Sequence, residues 1–289
     1  MAGPSRVKEL QPGDHACLTF SDAEERLDLV AAFVRDGLRQ GQRVLCLTDS
    51  IPQTTLEAEL TERGLPLNEE TGAGRLHLAT SQETYLAEGS FTASRMLDVV
   101  AEHIEQARLE GYQGLRIAGD MSWALRPVAG VEELMTYETQ LGSLLAEGGS
   151  IAVCQYDRRS FDSVTLAGVA ATHDLAVAAV TYHDDALLRI CRQYMPSGLR
   201  VAGEIDYRGV EPLTRALTES LDLDEHVHVN LAQLTFIDAE AAGALLQAAT
   251  SLAAGQRMTV RAQPLINKVL RTLGAEEITH LDLVVSHDE

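Results

Sequence analysis

The chain has 289 residues, of which 45% are hydrophobic, 23% charged and 4% aromatic, and its formal net charge is −20. That length accommodates about two domains of roughly 100–200 residues each, in a soluble globular protein of ordinary composition. The excess of carboxylates argues against nucleic acid as a partner, because phosphate binding needs a basic face, and no apolar run approaches the ~20 residues that span a bilayer.

The opening stretch from Met1 to Lys8 lacks an apolar signal core, so nothing points to export. Four scattered cysteines (Cys17, Cys46, Cys154 and Cys191) fit buried thiols in a reducing cytosol. A cytoplasmic location is expected.

In chain order, Gly13 to Phe20 reads as a turn and a strand on which His15 and Cys17 share one face. Ser21 and Glu24 form a capping box. The helix behind it carries Leu27, Val30, Ala31, Val34 and Leu38 and closes at Gly41. Arg43 to Thr48 is a buried strand. A helix opens at Pro52 and ends at Gly64, and Leu76 to Leu78 is a short strand. A long amphipathic helix runs from Phe91 to Leu109, then a strand from Leu115 to Ala118, a helix from Val131 to Ala146 and a strand from Ile151 to Tyr156. Val177 to Val180 ends this first region. Alternating strands and helices imply a mostly parallel sheet covered on both faces, with ligands at the carboxyl ends of its strands.

Asp184 to Tyr194 shows Ala186, Leu187, Ile190 and Tyr194 at helical spacing and stops at Met195-Pro196-Ser197-Gly198, so a helical linker is expected over 182–198. Beyond it come a strand from Leu199 to Asp206, a helix through Val210 and Leu221, and a strand through Val227 and Val229. Asp238 is a good N-cap for the alanine- and leucine-rich helix that follows. Further on are a strand at Met258 to Arg261 and a helix from Pro264 to Gly274.

Residues 10 to 180 resemble the MEDS domain, a sensory module. The resemblance rests on the His15-x-Cys17 opening, the long helix before Arg43, Tyr85 to Phe91 and Leu115 through Trp123. It continues through Tyr137-Glu138, Cys154-Gln155-Tyr156-Asp157 and Thr172-His173. It implies small-molecule sensing on a RecA-like core. Residues 199 to 283 resemble the STAS domain of anti-sigma-factor antagonists, through Gly203-Glu204-Ile205-Asp206 and Leu234-Thr235-Phe236-Ile237-Asp238. In that family the residue after the aspartate is a phosphorylated serine or threonine; here it is Ala239.

The organisation expected is therefore a sensory domain over 8–181, a linker over 182–198 and a STAS domain over 199–283, all of the α/β class. His15, Cys17, Trp123, Glu138, Tyr156 and His173 are the candidate ligand contacts, converging at the carboxyl edge of the first sheet; each is equally readable as an ordinary core side chain. Asp238, Ala239 and Glu240 are the candidate partner-binding segment, with Glu240 an imperfect substitute for a phosphate. The resemblance implies an anti-sigma factor or a serine-kinase-type regulator as partner, and self-association is compatible with the sequence.

No cofactor is expected. His15 and Cys17 are both zinc-ligand types, but the sequence offers no second pair at suitable spacing, and the His226-x-His228 pair is no stronger, so no metal site is expected. The chain has no G-x-x-x-x-G-K-[ST] loop, and no catalytic residues are assigned. The alternatives are a nucleotide or small-molecule hydrolase using the strand-end residues, or a purely structural subunit of a signalling assembly.

Overall fold

The computed structural model describes residues 7–286, except the side chain of Lys8. The absence of an export signal was expected from residues 1–8, and residues 1–6 of that stretch lie outside the described residues. The chain divides into two compact units after Ala178.

The first unit runs β1 (His15–Phe20), α1 (Ala23–Arg39), β2 (Arg43–Thr48), α2 (Gln53–Glu62), α3 (Leu67–Gly72), β3 (Leu76–Thr80) and α4 (Ala93–Leu109). It continues with β4 (Leu115–Asp120), α5 (Leu134–Gly148), β5 (Ile151–Asp157), α6 (Ser163–Thr172) and the two-residue β6 (Leu175–Ala176). Its sheet has the order β3-β2-β4-β5-β1-β6, and every pairing is parallel. This is the mostly parallel, helix-flanked α/β sheet expected of the first domain.

Alternation along the strands sends neighbouring residues to opposite faces. One face, with Leu18, Ala118 and Val153, packs on Leu29, Val30 and Phe33 of α1. The other, with Cys17, Ile117, Ala152, Cys154 and Tyr156, packs on Met96 and Val100 of α4 and Tyr137, Leu141 and Leu145 of α5. The capping of α1 differs by one residue from the expected box. Asp22, not Ser21, is the N-cap and accepts the Glu25 N–H at 2.9 Å, a carboxylate being the better acceptor at a helix N-terminus.

The second unit runs β7 (Thr181–Asp184), β8 (Leu188–Tyr194), β9 (Ser197–Ile205), α7 (Val210–Leu223), β10 (His226–Leu231) and β11 (Leu234–Ile237). Then follow α8 (Ala239–Thr250), β12 (Arg257–Ala262), α9 (Pro264–Thr272) and β13 (Leu281–Val285). Its sheet is mixed, in the order β13-β12-β10-β9-β8-β7, with β11 paired to β9.

The expected helical linker over 182–198 is corrected here. Its residues form β7, β8 and the start of β9, joined antiparallel. A separation of four residues suits a helix turn and also two strand repeats, so Ala186, Ile190 and Tyr194 satisfy both periods. Pairing settles the choice: β8 lies antiparallel between β7 and β9 with residues 190–194 buried on both faces, while Leu187 is 58% exposed. Ile190 belongs to the same core as Val201, Leu217 and Val229.

Candidate functional site

Four elements of the first unit aim polar side chains at one point on the α5 side of the sheet. β1 contributes His15. β5, in register with it, contributes Cys154, whose Cα partner is Cys17, and Tyr156. Glu138 comes from the inward face of α5, and His173 from the C-cap of α6. Glu138 Oε2 lies 3.1 Å from His15 Nε2 and 3.4 Å from His173 Nε2. Its Oε1 accepts a short hydrogen bond from the Tyr156 hydroxyl. His15 Nε2 is also 3.4 Å from Cys154 Sγ, and the two imidazole centroids are 4.0 Å apart. All five side chains are buried, Glu138 at 0% exposure.

Burial alone would raise the Glu138 carboxyl; the hydrogen bond from His15, the charge of the two histidines and the Tyr156 hydroxyl outweigh this and hold it below the ordinary range. Burial drives His173 below the usual histidine value. The Tyr156 hydroxyl and the Cys154 thiol are pushed well up, by burial first and by Glu138 second. Cys17 is pushed up to about 11 by the same two causes.

Of the six expected contacts, His15, Glu138, Tyr156 and His173 meet directly. Cys17 lies on the same face in the adjoining core, and its in-register neighbour Cys154 takes the place beside His15. Trp123 is elsewhere. It follows β4 in a short 3-10 turn, Met121–Leu125, and packs against Tyr85 (centroids 5.1 Å, stacked) and Phe91 (4.5 Å). Tyr137 meets both Tyr85 and Phe91 edge-on. Gly119 lets this aromatic group close up, since a Cβ there would stand 2.9 Å from the Tyr85 hydroxyl. Trp123 Nε1 is buried without a hydrogen-bond partner.

The expected location is corrected as well. His15 is the first residue of β1 and Cys154 is central in β5, so the cluster lies along one face of the sheet and not at its carboxyl edge. That edge is occupied by Arg26, whose NH2 donates to Asp120 Oδ2 at 2.8 Å and whose Nε donates to Gln155 Oε1 at 2.7 Å. The sequence held a signal for this group. Arg26, Leu29, Val30 and Phe33 share the i, i+3, i+4, i+7 stripe of α1, so an arginine stands on its apolar face. Cys154 gave no comparable signal, because a cysteine in an apolar strand reads as core.

The side chains able to reach one metal ion together are His15, Glu138, Cys154 and His173, whose ligand atoms all lie within 4.8 Å of one another. The expectation of no metal site came from pairing residues by sequence spacing, and the fold assembles this set from four separate elements.

In the second unit, Asp238 caps α8 by accepting the Ala241 N–H at 2.8 Å and ties in the 207 turn by accepting the Tyr207 N–H at 2.8 Å. Ala239 and Glu240 are exposed in the first turn of α8. Beside them stand Phe236 (49% exposed), Tyr207 (62%) and Leu187 (58%). Leu187 and Phe236 line a shallow groove of about 170 Å³ together with His183, Asp185, Glu204 and Arg208. Phe236 and Tyr207 flank Asp238, and no pattern in the sequence marks their exposure.

Residues 14–174 match the family described as MEDS, the methanogen/methylotroph, DcmR sensory domain, and residues 188–284 match a family described as Mlab, STAS domain. The transcriptional repressor DcmR of Methylorubrum extorquens is 26% identical over 162 residues, 56% of this chain; the match spans 58% of that relative's length. Among solved structures, the KaiC-like protein PH0186 of Pyrococcus horikoshii OT3 aligns with a TM-score of 0.48 and 13% identity, over 67% of this chain and 88% of that one.

Proposed function

Because the chain belongs to the MEDS sensory-domain family and carries a STAS domain behind it, we propose that it is a non-enzymatic signalling regulator. In this reading a small molecule recognised by the first domain controls how the second engages a protein partner, an anti-sigma factor or a serine-kinase-type regulator. The observation that carries it is the convergence of His15, Glu138, Tyr156 and His173 from separate elements on one buried point. Polar groups set in an otherwise apolar core are the usual makings of a small-molecule site. A ligand shifts the regulator only by its differential affinity for two conformations.

The N-terminus of α1 counts against a nucleotide hydrolase. Asp22 already takes the free N–H of the first turn, Glu24 and Glu25 follow it, and Arg26 is turned away onto Asp120. Three carboxylates at a helix N-terminus repel a phosphate chain that the helix would otherwise attract. The relative named as a transcriptional repressor supports a regulatory output. In this chain the STAS half supplies the output surface, and the exposed Phe236, Tyr207 and Leu187 beside the α8 N-terminus supply apolar contact area for it.

The test is affinity purification of the full chain from its native cells, in parallel with Phe236→Asp. Recovery of a kinase-type or anti-sigma regulator by the parent and its loss with the variant is the expected result. Recovery of the same proteins by both, with the variant folded, removes the assigned surface; turnover of a nucleotide by the purified chain removes the non-enzymatic reading.

A further inference from the structure

The two ring nitrogens of His173 carry different information. Nδ1 lies 2.8 Å from the Val169 carbonyl oxygen, which can only accept, so Nδ1 holds the proton. In the neutral ring Nε2 is then a bare lone pair. It faces Glu138 Oε2, another acceptor, at 3.4 Å, and has no hydrogen-bond partner. Two buried acceptors turned toward each other repel unless a positive centre stands between them. His15 brings a second ring nitrogen to the same point: its Nε2 lies 3.1 Å from that carboxylate oxygen and 3.4 Å from Cys154 Sγ, and its Nδ1 has no partner.

A backbone carbonyl that fixes the distal N–H of an imidazole, and a hydroxyl that holds the free oxygen of a carboxylate, are the outer supports of metal ligands. Val169 and Tyr156 stand in those positions. Bonds of ~2.0–2.3 Å from zinc to nitrogen, oxygen and sulfur place tetrahedral ligand atoms roughly 3.2–3.8 Å apart. The distances His15–Glu138, His15–Cys154 and His173–Glu138 are 3.1, 3.4 and 3.4 Å.

Deepening the sensory reading above by making a metal ion the ligand of the first domain, we propose that His15, Glu138, Cys154 and His173 form a buried binding site for a divalent transition metal, zinc(II) being the ion their mixed nitrogen, oxygen and sulfur donors fit best. Coordination breaks the Cys154 S–H bond and forms the metal–sulfur bond, and the proton leaves to solvent. Thiolate and carboxylate together then balance the dication, and the two neutral imidazoles add no charge. The site is electrically neutral, which is what a position at 0% exposure requires.

The experiment uses the full chain without a histidine tag, stripped of metal and titrated with zinc(II) against a chromophoric chelator, and with cobalt(II) for absorption. One zinc per chain is expected, with tetrahedral cobalt bands and a thiolate-to-cobalt charge-transfer band. Cys154→Ser should abolish that band and weaken zinc by roughly 100-fold or more, above the ~10–100-fold expected of the outer-sphere change Tyr156→Phe. Changing His226 and His228 to alanine, the pair on the second sheet with centroids 4.2 Å apart, should leave the stoichiometry at one.

Absence of cobalt bands and of zinc competition in the parent chain overturns the proposal. So does a zinc affinity unchanged by Cys154→Ser in a chain whose circular dichroism is intact. If Cys154→Ser does not fold, the charge-transfer band of the parent decides alone, since only a thiolate ligand produces it.

Discussion

Arg26 and Asp120 meet at 2.8 Å, one from the first turn of α1 and the other from the last residue of β4, and both are buried. Asp120 also accepts the N–H groups of Asp49 at 3.1 Å and Ser50 at 2.8 Å, and the Ser50 hydroxyl at 2.6 Å. The carboxyl ends of the strands are where open α/β sheets ordinarily receive ligands. Here an internal ion pair occupies that space, and the candidate site has moved to the face of the sheet.

Breaking this pair should be costly. Asp120→Asn leaves a buried guanidinium without its counter-charge and is expected to cost the first domain about 3–5 kcal/mol. Burial raises the Asp120 carboxyl, but Arg26 and the Ser50 hydroxyl and amide outweigh it and hold it at about 2. A depressed carboxyl stabilises the fold above its unfolded value. The contribution should be complete above about pH 4 and disappear as pH falls toward about 2. Urea denaturation of parent and variant across that range is the measurement, and the two curves should converge at the acid end.

Leu187 and Ile190 should behave oppositely, although only three positions separate them. Ile190→Ala empties a fully buried site and should cost the second domain about 2–5 kcal/mol. Leu187→Ser changes an exposed side chain and should stay within about 0.5 kcal/mol. Both are read by thermal unfolding. Trp123, the single tryptophan, lies in the first unit, so its fluorescence transition should be unmoved by either change.

Introducing the missing hydroxyl should restore phosphorylation. Residues Asp238 to Ala244 contain no Ser, Thr or Tyr, and Ala239 is exposed at the N-terminus of α8. A serine kinase that acts on the partner-binding segment should label Ala239→Ser and leave the same peptide of the parent unlabelled, as read by phosphopeptide mapping. A phosphate there brings ~−1.5 to −2 charge beside Asp238 and Glu240, and it should weaken partner binding. Equal labelling of both chains would place the acceptor elsewhere.

Much of the fold was legible, because helices and strands announce themselves through period and caps. Arg43–Thr48 and Ile151–Tyr156 are strands as read, and Pro264 opens α9 as read. β8 was not legible, because a four-residue interval serves both periods and the buried Arg192 interrupts the apolar run of a strand. Four of the six candidate ligand contacts do converge, since a histidine or glutamate on an apolar face needs a partner wherever it lies. Trp123 was misplaced into the group because nothing local says which part of the core a residue after the strand end will take: it lies on the same side of the sheet as the cluster but packs on Tyr85 and Phe91. Cys154 was missed because its role depends on β1 lying beside β5, a long-range fact that no window of sequence contains.

β6 is the last strand of the first sheet, and it pairs with β1 through only two register positions, Ala16 with Leu175 and Cys17 with Ala176. One more bond, from the Val177 N–H to the Cys17 carbonyl at 2.8 Å, continues the attachment. His173 stands two residues before β6, and β7 begins at Thr181. So short an edge strand is among the easiest parts of a sheet to detach. Detached, it would release the chain that follows His173 from the sheet. Seated, it ties the chain two residues after His173 to β1, so this short pairing also fixes where that imidazole is held.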